Sequence, residues 1–285
     1  MTSEELEDTA LEAWQRVMLL TEGARPEIRE RPDRDSPGVG GCDAIVARAD
    51  SPQAVEHTTI DAYADQRRDT AHFMRAFMPL GERVAARFPD SWIEVFVPAH
   101  AVPPQQNPEA LGERVFERAC ETMPSLPISD MFNLDQTRFD FEDLPFPVFI
   151  SRQELAGQEP ACFFTRVAPP DRKEQLVANI VAALEKKSKQ LRPYRARMST
   201  VLLIDFDDIS LLNQYAVAEA FAEAAGRWTS SDSIDEVYLV DRRRRRGIWV
   251  FPVKLGGVVY PELEAEFQRC RREQFKATYG HLPSW

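Results

Sequence analysis

The segment STVLLIDF, residues 199–206, constrains the fold more than any other stretch of this chain. Its apolar side chains are consecutive, so an extended strand there needs cover on both faces. A helical pattern precedes it. Asp171 opens that helix, which runs to Leu191 with Leu176, Val177, Ile180, Leu184 and Leu191 on one face. A second helical pattern covers 208–225, and strands are expected at 234–240 and 247–253, joined by an arginine-rich turn. With a further strand at 161–167 and a closing helix at 261–276, the pattern predicts an α/β sheet flanked by helices.

The other end of the chain starts with an amphipathic helix over 3–21. Leu6, Ala10, Ala13, Val17 and Leu20 share a face, Ser3 stands at the cap position and Gly23 at the end. Between Pro26 and Gln53 the chain is broken by Pro, Gly and Asp. Two apolar runs, 39–46 and 54–59, read as strands of a hairpin or meander. From 60 to 88 the pattern is helical with a break near Pro79. SWIEVFVP at 91–98 alternates like a strand, and a short helix follows over 108–122 between Pro-rich stretches. This middle part reads as an elaboration. The expectation is one domain over 1–285. Its core lies at about 1–60 and 161–255, its insertion at 61–160, and a C-terminal helix and tail at 256–285.

With 285 residues and 44% hydrophobic content, the chain can bury one large core. Its net charge of -11 disfavours a non-specific grip on phosphates, although carboxylates gathered for a cation would add to that charge. The four cysteines are widely spaced with no CxxC pair, which argues against zinc and disulfide frameworks and for reduced thiols. The first twenty residues lack a signal-peptide core, and no run of 18 uncharged apolar residues occurs. A cytoplasmic protein with no membrane span is expected.

The chemistry concentrates in GGCDAIVARADSPQAVEHT. Asp43 stands in one expected strand, and Glu56 lies in the next, after twelve intervening residues. Side chains alternate along a strand, so Glu56 and Thr58 share a face and His57 points to the other. Paired strands would bring Asp43 and Glu56 together. Two such carboxylates suit a hard cation, Mg²⁺ or Mn²⁺, which accepts phosphate oxygens and activates water. The plainer alternative is a pair of turn and surface carboxylates.

This arrangement resembles the PD-(D/E)xK, or restriction-endonuclease-like, nuclease superfamily. There an Asp on one strand is followed by a [D/E]-x-K tripeptide on the next. The resemblance covers about 1–60 and resumes over 171–253. It implies a mixed central sheet flanked by helices, and metal-dependent cleavage of phosphodiesters in DNA or, second, RNA, in host defence or repair. Asp43 matches the Asp, Glu56 the acidic ligand, and Thr58 the lysine position. The first helix often supplies another carboxylate, for which Glu12 or Glu5 qualifies, and the backbone carbonyl of His57 is a further candidate ligand. Threonine cannot offset developing negative charge as lysine does. Some members carry that lysine on the following core helix. Here Lys187 lies three residues after Leu184 and seven after Ile180, on the apolar face, while Lys186 and Lys189 point away. Lys187 either serves the site or only extends its ammonium out of the core.

Gln190 and Tyr194 have a Q-x-x-x-Y spacing known from some of these nucleases, with Pro193 between them. Arg242, Arg243, Arg244, Arg245 and Arg246 form either a solvated hairpin tip or a phosphate clamp on nucleic acid. Asp61, Gln66, Arg67 and Asp69 follow Thr58 closely and are candidates for the same cleft. No nucleophile elbow, Walker loop or dinucleotide fingerprint occurs. The rival reading is a binding or structural protein on the same fold, its chemistry lost with the lysine. A third is a hydrolase of small phosphoesters. A homodimer is expected only by analogy with nucleases that cut both strands.

Overall fold

A computed structural model describes residues 2–35, 41–48, 51–129, 136–154, 159–206, 213–242 and 248–259. In chain order the elements are helix α1 (Ser3–Glu22), strand β1 (Glu27–Glu30), helix α2 (Pro32–Asp35), strands β2 (Ala44–Arg48) and β3 (Ser51–Thr59), helices α3 (Gln66–Phe77) and α4 (Gly81–Arg87), strand β4 (Ser91–Pro98) and helix α5 (Pro108–Thr122). They continue with strands β5 (Thr137–Phe139), β6 (Val148–Glu154) and β7 (Ala161–Val167), helix α6 (Arg172–Leu191), strand β8 (Ser199–Phe206), helix α7 (Gln214–Ala225), and strands β9 (Glu236–Asp241), β10 (Trp249–Leu255) and β11 (Val258–Val259). The expected helix at 261–276 lies outside the described residues, as do Arg243, Arg244 and Arg245.

The chain divides into two compact units, Met1–Ala62 with Lys173–Trp285, and Tyr63–Arg172. The first holds a seven-stranded mixed sheet in the order β1-β2-β3-β8-β9-β10-β11. Its centre is parallel, β3 to β8 to β9, and both flanks are antiparallel. The fold is therefore mixed α/β, with helices on a mixed sheet. β8 lies mid-sheet and is buried from Thr200 onward, as its unbroken apolar run requires.

α1 starts with a capping box on Thr2, one residue before the expected Ser3. The Thr2 hydroxyl accepts from the Glu5 N–H at 3.2 Å, and the Glu5 carboxylate accepts from the Thr2 N–H at 2.6 Å. Gly23 ends the helix in the left-handed region at φ 78°, and its N–H reaches the carbonyl of Leu19. The inner face of α1 (Leu11, Trp14 and Met18 among others) packs with Val46, Val55, Leu203 and Tyr238. Burying a side chain of this size contributes about 1.5–3 kcal/mol. Glu56 alternates with Val55 and projects from the opposite face, where α6 brings Lys187.

The second unit has its own four-stranded sheet, β5-β6-β4-β7, and its own core. Phe77, Val84, Ile93, Leu111 and Ile150 are buried there. The boundary departs from the expected insertion at 61–160. β7, expected in the core, pairs in parallel with β4 across the Trp92↔Ala161 register. Gly112 permits the contact between α5 and α3, because a Cβ there would stand 2.0 Å from the carbonyl oxygen of Ala76. Asp69 and Arg166 form a buried salt bridge at 3.1 Å in this unit, with Asp69 also accepting from the His100 N–H at 3.0 Å. Gln66 and Arg67 belong to this unit too.

Candidate metal centre

The register of β2 on β3 decides where the two expected carboxylates stand. Ala44 pairs with Val55, so the residue before Ala44 lies across from the residue after Val55. Those residues are Asp43 and Glu56. Asp43 Oδ2 accepts the backbone N–H of His57 at 2.5 Å, which pins its carboxylate to the end of the meander. A residue's N–H and C=O leave an extended strand on the same side. The His57 carbonyl therefore points off the same edge as the N–H that Asp43 holds.

Glu56 has no solvent exposure. Its Oε2 receives the ammonium of Lys187, itself 8% exposed, and its Oε1 has no hydrogen-bond partner. Burial first, and then the charge of Asp43, push the Glu56 carboxyl up to about 8, against the pull of Lys187. Lys187 thus reaches Glu56 from α6, on the apolar face where the sequence places it. Thr58 lies two residues beyond Glu56 on the same face, half-buried.

The first helix contributes Glu7. Glu12 is exposed on the outer side of α1 and pairs with Arg16 at 2.7 Å, and Glu5 is spent in the capping box. Five residues of helix turn the two Glu side chains about 140° apart, so only one can face inward. Periodicity could have found it, because Glu7, Leu11, Trp14 and Met18 form one stripe. Glu7, Asp33 and Asp43 each place a carboxylate oxygen within 4.8 Å of the others. The carboxyls of Glu7 and Asp33 are both raised, by burial first and by Asp43 next. Arg31 and Arg34 hold Glu7 at 2.7 Å each. Sequence reasoning missed Asp33, since nothing separates it from the other carboxylates of that broken stretch until the chain is folded.

Two further residues depart from expectation. Tyr194 stands past the end of α6, yet its hydroxyl accepts the N–H of Cys42, the neighbour of Asp43, at 3.2 Å. Of the Q-x-x-x-Y pair, Tyr194 touches the neighbour of Asp43, and the buried Oε1 of Gln190 has no hydrogen-bond partner. Arg242, expected at a hairpin tip or on phosphate, is turned inward. Its Nε donates to both carboxylate oxygens of the fully buried Asp205 at 2.6 Å, and His57 Nε2 lies 3.3 Å from the same carboxylate. The ring of His57 is thus engaged on the far side of β3 from Glu56.

Cys42, Cys120 and Cys162 are free. No helix of the described residues is long and apolar enough to cross a membrane. No protein-family model, no curated protein and no solved structure matches this chain.

Proposed function

We propose that the chain is a divalent-cation-dependent phosphodiesterase of the PD-(D/E)xK type, acting on nucleic acid with DNA favoured. The observation that carries this reading is the contact of Lys187 with Glu56, in register with Asp43. A buried lysine and an adjacent acidic pair are the three parts this chemistry asks of a protein.

The residues suit Mg²⁺ or Mn²⁺. Hard oxygen donors stand close together on Glu7 and Asp43, and Glu56, across from Asp43 in the strand register, has a buried Oε1 left without a partner. A bound cation of this kind supplies a lowered pKa for water and charge neutralisation on a phosphoryl oxygen. The chain's own groups do the rest. Asp43, held by the His57 N–H, presents a fixed carboxylate. Lys187 orients the attacking water and offsets negative charge as it develops on the phosphate. The rival reading of lost chemistry leaned on threonine at 58, and a lysine delivered from α6 weighs against it. A reducing, cytoplasmic setting and a homodimer complete the proposal.

Labelled single- and double-stranded DNA and RNA, incubated with Mg²⁺, Mn²⁺ or chelator, test it. Cutting is expected only with the cation, and is expected to be lost in Asp43→Asn and Glu56→Gln. Cutting by both variants at the parent rate would reject the site.

A further inference from the structure

We propose that Asp33, on α2, is a cation ligand, so that the ion is held by Glu7, Asp33 and Asp43 with Glu56 at its side. This rests on the phosphodiesterase reading and adds to it a residue that the resemblance does not supply.

Three carboxylates within 4.8 Å would repel one another in an apolar setting. Arg31 and Arg34 offset Glu7, and Lys187 offsets Glu56. Among the described residues Asp33 and Asp43 have no salt bridge, and their two charges match one divalent ion. A second observation is independent of that crowding. Glu56 is wholly buried, it lies across from Asp43 in the strand register, and its Oε1 has no partner. An acceptor in that position asks for a positive ligand. Asp33 repeats the pattern, because its Oδ1 is also buried and unpartnered.

The backbone is shaped to bring Asp33 there. Its N–H donates to the carbonyl of Cys42 at 3.3 Å, which docks α2 beside Asp43. Gly41 makes that approach feasible, since a Cβ would lie 2.6 Å from the Pro32 Cβ and 2.9 Å from its carbonyl carbon. Pro32 and Gly41 together set the distance between Asp33 and Asp43.

The experiment is calorimetric titration of Mn²⁺ into the full chain, comparing the parent with Asp33→Asn, Asp43→Asn and Gly41→Ala. Asp33→Asn is expected to weaken Mn²⁺ at least tenfold, with its unfolding midpoint in chelator not lowered. Gly41→Ala keeps every carboxylate but displaces α2, and is expected to weaken Mn²⁺ likewise. It serves as the test if Asp33→Asn does not fold. Parent-like affinity in Asp33→Asn, or in Gly41→Ala where that variant stands in, with loss in Asp43→Asn, would overturn the role of Asp33 and leave the phosphodiesterase reading standing. No uptake by the parent would overturn both.

Discussion

The ammonium of Lys187 on α6 rests on Oε2 of Glu56 on β3, across 131 positions of sequence. Both groups are buried, so each satisfies a polar group of the other that water does not reach. Removing one partner strands the other. Lys187→Met is expected to destabilise the chelated protein by about 1–3 kcal/mol, the cost of a buried group left unsatisfied. The figure stays below that for a stranded charge because Glu56 keeps its proton up to about 8. Pairing Lys187→Met with Glu56→Gln is expected to recover most of the loss, read as midpoints in urea. A double variant as unstable as the two singles combined would contradict the pairing.

The raised carboxyl of Glu56 would make the proposed cation binding pH-dependent. Folded Glu56 keeps its proton up to about 8, whereas the unfolded chain releases it near 4.5. The folded state therefore binds more protons between those values, and without cation its stability falls as pH rises through that window. A cation must displace the same proton. Mn²⁺ affinity is expected to climb from pH 6 to 8 with proton release, seen by calorimetry in buffers of different ionisation enthalpy. A flat affinity with no proton release would be inconsistent with Glu56 as a ligand.

Arg242 is assigned to the interior. Arg242→Ala leaves Asp205 buried without its cation and is expected to cost about 3–5 kcal/mol. Thermal unfolding measures this. A variant of parent stability that binds DNA more weakly would instead return Arg242 to the role of a phosphate clamp.

The second unit offers a test free of the proposed metal site. Gly112→Ala would drive a methyl into the Ala76 carbonyl and part α5 from α3. A loss of about 1–3 kcal/mol is expected, the usual penalty of overpacking. Unchanged stability would mean that the two helices do not meet there.

Much of the first unit was legible because its strands and helices carry strong periodicity. β8, expected at 199–206, spans Ser199–Phe206, and the apolar face of α6 picked out Lys187 from Lys186 and Lys189. β1 was invisible, since Glu27–Glu30 is exposed at all four positions and offers no alternation. β6 was hidden behind a Pro-rich approach, and its loss from the reading merged the second unit into an insertion. At the site, Asp43 and Glu56 could be paired by strand logic alone. Asp33 could not, because its place depends on α2 docking on Cys42, a contact between segments with no shared period.

The most direct test of the central claim is single-turnover cleavage of labelled DNA with saturating Mn²⁺ by Lys187→Ala beside the parent. Parent cutting that chelator abolishes is expected, with a variant slowed about 100-fold or more that still binds Mn²⁺, as removal of a group orienting the attack requires. Cutting by Lys187→Ala at the parent rate would contradict the claim.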